Sequence, residues 1–261
     1  MIFEEIQATL KQAGIENARW EAALLVEAFG NDVPDAFVTR RCNGYPLQYI
    51  LGEWAFYKET YEVNENCLIP RPDTEILVEQ AIKMLPNGAR FVDLCTGSGC
   101  VAISTLATRA DTTAVAIDLF ADTLQLAQKN ALRNGVAARF SPLQADVLQS
   151  PPCALPQGSF DAILSNPPYI NNDVVPTLQR EVSFEPAAAL CGGADGLDFY
   201  RAILEKWVCL LKPTGVVLFE IGYDQGDALR KLGNAAGFAV EILQDYGKND
   251  RVAVLNPLSK N

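Results

Sequence analysis

The chain has 261 residues and a 49% hydrophobic composition, enough for one large domain or one full domain plus a small appendage, with ample material for a packed core. Its net charge of -11, from 21 basic against 32 acidic residues, repels polyanions and favours a basic or neutral partner. Nucleic acid is thereby disfavoured as the main ligand, although net charge leaves a local basic face open. Histidine is absent, which removes the commonest general base and the commonest metal ligand, so the chemistry must work without imidazole.

No apolar run approaches the roughly 18 residues needed to span a bilayer, and Met1 to Ala13 is amphipathic and acidic, unlike a signal peptide. A cytoplasmic protein without a membrane partner is expected. The seven cysteines, Cys42, Cys67, Cys95, Cys100, Cys153, Cys191 and Cys209, are odd in number and scattered without a C-x-x-C pair. They read as reduced, buried thiols, with no metal site.

In chain order, three periodic apolar segments come first, Ile2 to Ala13, Ala18 to Phe29 and Ala36 to Arg41, and predict a small helical module over residues 1–50. From Gly52 to Ile69 the pattern turns aromatic and β-favouring, which predicts a hairpin linker over 51–70. The stripe Trp54, Phe56, Tyr57, Tyr61 reads either as the core of that linker or as a stacking platform. Pro70-Arg71-Pro72-Asp73 breaks the chain, and Asp73 or Thr74 is placed to cap a helix running to about Leu85. A catalytic domain is expected over 71–261. Strands and helices alternate there: Phe91 to Leu94, helix Gly99 to Arg109, Ala114 to Ile117, helix Ala121 to Asn134, Arg139 to Leu143, Phe160 to Ser165, helix Gly196 to Leu211, and Gly215 to Ile221. Such alternation predicts right-handed crossovers and a parallel sheet. Ala239 to Gln244 and Val252 to Leu255 are joined by too short a loop for a crossover and should pair antiparallel. The whole is an α/β fold, a mostly parallel seven-stranded sheet ended by an antiparallel hairpin, closer to class I methyltransferases than to an ordinary dinucleotide-binding domain.

Asp93-Leu94-Cys95-Thr96-Gly97-Ser98-Gly99 follows the first strand of that sheet and opens a helix, so its glycines let the backbone turn beside a ligand. Alone this is a weak signal. Asp118 ends the next strand about twenty residues on, where a carboxylate accepts ribose hydroxyls. A third strand end presents Asp146 and Val147 towards an adenine edge, Asp146 being alternatively a simple cap. The first turn has no lysine and lacks the full phosphate fingerprint, whereas Asp93 and Asp118 suit a cationic ligand. S-adenosyl-L-methionine is therefore favoured over NAD.

Asn166-Pro167-Pro168-Tyr169 lies just after the fourth strand, at the carboxyl edge where open α/β sheets bind ligands. A planar amide attacks a methyl group only when its delocalised nitrogen lone pair is held in line with the leaving sulfur. The Asn166 side-chain oxygen and the Pro167 carbonyl can each accept one N–H of such an NH2, and Tyr169 offers a flat face for stacking. An ordinary rigid loop is the plainer alternative, weakened by the turn's position downstream of an adenosine site.

These residues resemble the release factor glutamine methyltransferases, the PrmC or HemK family. The likeness spans nearly the whole chain and includes Pro46 to Ile50, Leu68-Ile69-Pro70-Arg71-Pro72-Asp73-Thr74-Glu75, Glu185-Pro186 and Gly192 to Leu197. The Asn-Pro-Pro-Tyr turn alone is shared with DNA adenine methyltransferases and with a sister enzyme acting on a ribosomal protein, whereas the Pro-Arg-Pro-Asp-Thr-Glu stretch is more discriminating. The resemblance implies transfer of the methyl of S-adenosyl-L-methionine to the Gly-Gly-Gln glutamine of class I peptide chain release factors, without metal or direct nucleic-acid contact. It implies docking of that substrate on the N-terminal helices, and receipt of the glutamine by Asn166 and Tyr169. Cys95 and Val147 depart from the family's usual glycine and aromatic residue, which implies altered cofactor packing. Arg71 reads as a brace of the active-site wall or as a surface ion pair, and Leu190 to Gly196 as a lid or a solvent loop.

Overall fold

The computed structural model describes residues 1–30 and 32–258. Helices α1 (Phe3–Gln12), α2 (Ala18–Phe29) and α3 (Asp35–Cys42) fall on the three periodic segments. Ile6 and Leu10, one turn apart on α1, are fully buried, as an amphipathic stripe requires. A short α4 (Leu47–Leu51), which the periodicity does not announce, follows Pro46. Inside this group Arg41 grips Glu21 with two N–H bonds of 2.6 and 2.9 Å, so both charges are buried as a pair.

The linker is shorter in regular structure than its composition suggests. Strands β1 (Glu53–Phe56) and β2 (Glu59–Glu62) pair antiparallel, with Trp54 opposite Tyr61, and residues 63–71 run on without regular structure. The aromatic stripe packs inward: Trp54 meets Trp20 edge-on at 6.1 Å, Phe56 meets Tyr61 at 5.9 Å, and the fully buried Tyr61 bonds Ser104 Oγ at 2.6 Å. It is linker core.

The expected cap at the next helix does not form. Pro72–Thr74 make a 3-10 turn leading into α5 (Glu75–Met84), and neither Asp73 nor Thr74 caps it. Asp73 pairs instead with Arg251 at 3.5 Å, and the Thr74 hydroxyl faces the sheet edge. Tertiary partners outcompete the local cap.

Seven strands follow: β3 (Arg90–Leu94), β4 (Thr113–Asp118), β5 (Phe140–Gln144), β6 (Phe160–Ser165), β7 (Leu211–Glu220), β8 (Phe238–Gln244) and β9 (Asp250–Pro257), in the order β5-β4-β3-β6-β7-β9-β8. Strands β3 to β7 pair parallel, and β9 inserts antiparallel between β7 and β8. The central strands β3, β4 and β6 are buried almost end to end, because helices α6 (Cys100–Thr108) and α7 (Ala121–Arg133) and the segment after Leu197 cover both faces. Pro142, which cannot donate to a ladder, is confined to the edge strand β5.

Two features differ from the periodic reading. The helix expected over Gly196 to Leu211 is α8 (Asp198–Ala202), then a π-helical turn Ile203–Trp207 and a 3-10 turn Val208–Leu210. The widened turn carries the fully buried Trp207, whose indole N–H is shared by the carbonyls of Val147 and Gln149, each at 2.9 Å. A further helix, α9 (Gly226–Ala235), leads from β7 to β8. Gly233 hid it, since glycine weakens a helical pattern. A Cβ there would run into Val240, so the helix sits tight on the sheet.

The chain leaves β3 first for β4 and β5, then crosses back to β6 on the other side. The carboxyl ends of β3, β4 and β6 therefore diverge at a topological switch point, where such sheets open a crevice.

Candidate active site

The loop leaving β3 is held by its own backbone. Cys95, Gly97 and Gly99 all have positive φ, of 60, 55 and 84°. The Thr96 N–H bonds the Ile117 carbonyl at 2.9 Å, and the Thr96 hydroxyl donates to Asp93 at 2.6 Å. At Gly99 an added Cβ would stand 2.7 Å from the Ile103 side chain, whereas at Gly97 it would meet nothing. Gly99 is thus fixed by packing under α6, and Gly97 faces open space. Asn130, buried in α7, accepts from the Glu62 N–H at 2.7 Å and donates to the carbonyls of Glu62 and Ser98, tying β2 to this loop.

Asp118 closes β4 with its carboxylate already aimed. One oxygen accepts from the Gly97 N–H at 3.0 Å and the other from the Phe120 N–H at 3.1 Å. Burial raises its pKa, and those N–H bonds oppose the rise. Asp93 behaves differently from the expectation that it meets a cationic ligand. It is buried beneath the loop, bonded to Thr96, with its carboxyl pushed up to about 7 by desolvation. Asp146 accepts from the Leu148 N–H at 2.9 Å and still borders the cleft, so it both caps its turn and faces the crevice.

Across the switch point stands the Asn166–Tyr169 turn. Ser165 anchors it by donating to the Leu94 carbonyl at 2.6 Å. The Asn166 Nδ2 donates to Thr74 Oγ1 at 3.2 Å, which leaves Oδ1 for the cleft. No donor among the described residues bonds Oδ1 or the Pro167 carbonyl. Tyr169 turns away from the position expected for a stacking face. Its hydroxyl donates to Glu220 at 3.3 Å, its carbonyl accepts from Gln225 at 3.0 Å, and its ring packs against the core cluster that includes Tyr200 and Phe219. Glu220 is 2% exposed, and burial pushes its carboxyl up to about 7.

One cavity of about 420 Å³ joins these groups. Of the residues expected at the site, Arg71, Cys95, Thr96, Gly97, Ser98, Asp118, Asp146, Val147, Asn166 and Pro168 line it, whereas Gly99, Pro167 and Tyr169 do not. Ser98 Oγ is buried without a hydrogen-bond partner among the described residues, a cost that a ligand in the cleft would relieve. Four thiols, Cys67, Cys95, Cys100 and Cys191, also border it, and burial pushes that of Cys67 up to about 12.

Arg71 is a brace. It pairs with the buried Glu185, which also accepts from the Ile69 N–H at 3.0 Å, so the chain before α5 is tied to the segment after the turn. The Leu190 to Gly196 segment is neither a free lid nor a plain solvent loop at its start. Ile170 N bonds Leu190 O at 2.9 Å and Gly192 N bonds Ile170 O at 2.8 Å. A Cβ on Gly192 would lie 2.7 Å from the Tyr169 Cα, so this backbone packs directly on the turn.

Residues 72–189, which hold the β3 loop, Asp118, Asp146 and the Asn166–Tyr169 turn, match the methyltransferase small domain. The release factor glutamine methyltransferase of Nitratidesulfovibrio vulgaris is 44% identical over 219 residues, covering 82% of this chain and 73% of that protein. The enzyme of the same name from Caulobacter vibrioides is 35% identical, covering 95% and 93%. The chain belongs to the release factor glutamine methyltransferase family. It is a methyltransferase of the class I fold. The catalytic domain of hMettl16, solved in complex with MAT2A 3'UTR hairpin 6, shares that fold with a TM-score of 0.63 over 94% of this chain and 83% of the other, at 15% identity. No helix among the described residues is long and apolar enough to cross a membrane.

Two residues outside the expected site bond its side chains, Thr74 to Asn166 and Glu220 to Tyr169. Thr74 reads in the sequence as a candidate helix cap and as a member of the Pro-Arg-Pro-Asp-Thr-Glu stretch, neither of which points to Asn166. Glu220 carried a signal of its own, a lone charge in the apolar run Val216 to Ile221, which is rare unless the carboxyl is partnered.

Proposed function

We propose that this chain transfers the methyl group of S-adenosyl-L-methionine to the side-chain nitrogen of the Gly-Gly-Gln glutamine in class I peptide chain release factors. The observation that carries the reading is the Asn166 amide: pinned through Nδ2 to Thr74, with an unbonded Oδ1, in the same cavity as Asp118.

The cleft fits the cofactor. Asp118, held by two backbone N–H groups, keeps lone pairs free for ribose hydroxyls, Asp146 and Val147 stand where an adenine edge would lie, and the Ser98 hydroxyl lacks a partner. When bound, S-adenosyl-L-methionine supplies an electrophilic methyl on a sulfonium. Asn166 Oδ1 accepts one N–H of the glutamine NH2, and the Pro167 carbonyl, unbonded on the same turn although outside the cavity's lining, accepts the other. Two acceptors orient the nitrogen lone pair and stabilise the positive charge developing on it, which is worth most in a dry site. The surplus proton leaves to water after transfer. Tyr169 acts in this reading as an anchor of the turn rather than as a stacking surface. We also assign residues 1–50 to a docking domain for the release factor, 51–70 to the linker and 71–261 to the catalytic domain, of which 259–261 lie outside the described residues.

The test is transfer of labelled methyl from S-adenosyl-L-methionine to a purified class I release factor. Label on the loop glutamine is expected. An unlabelled release factor together with labelled DNA overturns the assignment.

A further inference from the structure

Two strips of the cleft wall meet behind it. Pro168 and Asn172 belong to the acceptor turn and its exit, Cys191 and Gly193 to the segment that packs on them. The meeting is backbone against backbone: Ile170 and Cys191 form a parallel bridge, and an added Cβ on Gly196, whose φ is +72°, would stand 2.3 Å from the Tyr169 carbonyl oxygen. So close an approach leaves the carbonyls of Tyr169 and Gly196 pointing into one corner of the protein, where each needs a donor.

One side chain serves both. Gln225, 8% exposed at the corner between β7 and α9, donates from Nε2 to the Tyr169 carbonyl at 3.0 Å and to the Gly196 carbonyl at 3.2 Å. No other donor among the described residues bonds either oxygen. Its Oε1 accepts from the Gly222 N–H at 2.9 Å. A backbone N–H only donates and a carbonyl only accepts, so these partners fix which end of the Gln225 amide faces which way. Tyr169 is thereby held at both ends by one stretch of chain, its hydroxyl by Glu220 and its carbonyl by Gln225.

We propose that Gln225 is a positioning residue that fastens the Asn166–Tyr169 turn to the 192–196 segment and so fixes where the turn's acceptors stand. Pro167 and Pro168 lock their φ angles, so the turn moves as a stiff lever, and a shift at Tyr169 is passed to the Pro167 carbonyl and to Asn166. In-line transfer is sensitive to such shifts, a misplacement of about 1 Å costing on the order of a hundredfold in rate. Gln225 does not line the cavity. It therefore acts on turnover through the turn and leaves the cofactor wall alone. The inference rests on the acceptor role given to this turn in the proposed function, and it adds the joint that holds the turn against its neighbouring wall.

The test compares Gln225→Met, which keeps the length and loses both donors, with Gln225→Glu, which keeps the shape and regains one donor only when its carboxyl is protonated. Turnover is measured on a class I release factor, per mole of protein that binds S-adenosylhomocysteine, so that unfolded protein does not count. Gln225→Met is expected to lower kcat about tenfold at every pH, with S-adenosylhomocysteine affinity within about twofold of the parent's. Gln225→Glu is expected to match it at pH 9 and to return to within about threefold of the parent at pH 6, because a carboxyl facing two carbonyl oxygens takes up a proton as pH falls and donates it to one of them. A Gln225→Met kcat within about twofold of the parent's, or a cofactor affinity that falls as far as kcat, overturns the inference. Should Gln225→Met fail to fold, the pH profile of Gln225→Glu relative to the parent decides alone, and a flat ratio overturns the proposal. A parent protein that leaves the release factor unlabelled refutes the substrate reading alone. The joint is then read on the free protein, from hydrogen exchange at the Ile170 and Gly192 backbone N–H groups, whose bonds of 2.9 and 2.8 Å join the two strips. Exchange at least about tenfold faster there in Gln225→Met, with that of Thr96 in the cofactor loop unchanged, supports the joint, and exchange unchanged at Ile170 and Gly192 ends it.

Discussion

The two walls of the cleft are built by different means. The cofactor wall, Cys95 to Gly99 with Asp118, is held mainly by backbone N–H groups and positive φ angles, with partners at most 32 residues away along the chain, the farthest being the Asn130 side chain at the Ser98 carbonyl. The acceptor turn, Asn166 to Tyr169, is held by side chains whose partners lie 92, 51 and 56 residues away, at Thr74, Glu220 and Gln225. Yet each wall rests on one buried carboxyl, Asp93 below the loop and Glu220 below the turn, both raised to about 7. A backbone-built wall tolerates side-chain change and punishes a lost glycine. A wall built from side chains does the reverse.

The paired carboxyls give the largest effect. Each has a folded pKa of about 7 against an ordinary value of 3.8 for Asp93 or 4.5 for Glu220. A raised carboxyl contributes its stability fully below the unfolded value and loses it as pH rises through the folded value. Unfolding free energy should therefore fall between about pH 4 and pH 7 and level off above, by roughly 3 to 4 kcal/mol per group. The groups facing Glu220 are Arg251, Asp73, Tyr169 and Thr74, and those facing Asp93 are Thr96 and Asp118. The chain has no histidine, so besides these two carboxyls and Asp118, which burial also raises, the window holds few shifted groups. Urea unfolding at pH 5 and pH 8 measures the drop, and Glu220→Gln should remove about half of it. A level profile, or a drop untouched by that substitution, contradicts the pairing of the walls.

Next in size, Asn166→Ala should lower kcat at least about a hundredfold, since an acceptor that acts on developing charge is lost. Calorimetry with S-adenosylhomocysteine should find binding nearly unchanged. A parallel loss of binding would merge the two walls into one. Asp118→Ala should act on the opposite side, weakening the cofactor at least about tenfold while kcat at saturation stays within a fewfold. A kcat loss with intact affinity would reverse the division.

The same contrast decides what the sequence discloses. Strand and helix alternation, the antiparallel ending and the β3 loop are written in local patterns, and all seven strands fall where alternating apolar runs predict them. Their bounds drift where tertiary packing intervenes. Strand β7 starts at Leu211 rather than Gly215, because an irregularity after Phe160 lets Pro213 lie outside the ladder. Helix α9 was hidden by Gly233, whose missing side chain is needed for the close approach of Val240. At the site, Asn166 and Asp118 are legible because each ends a strand. The inward turn of Tyr169 is not, since it depends on Glu220, and nothing within the turn itself points there. Thr74 misled for the related reason that a threonine before a helix fits a cap equally well.

The smallest effect separates two glycines that look alike in sequence. Gly97 and Gly99 both have positive φ, so alanine at either costs about 1 kcal/mol of backbone strain. At Gly99 the new methyl also stands 2.7 Å from the Ile103 side chain and 3.3 Å from Ala127 Cβ, inside the protein. At Gly97 it meets no atom within 4 Å and projects where the cleft is open. Gly99→Ala should thus lower the melting temperature more than Gly97→Ala and leave S-adenosylhomocysteine affinity within about twofold. Gly97→Ala should show the reverse, a smaller loss of stability and an affinity several-fold weaker, because its methyl occupies ligand space rather than core space. Equal affinities for the two variants would mean that the loop meets the cofactor elsewhere than at Gly97, and the backbone-built wall would have to be redrawn around Ser98.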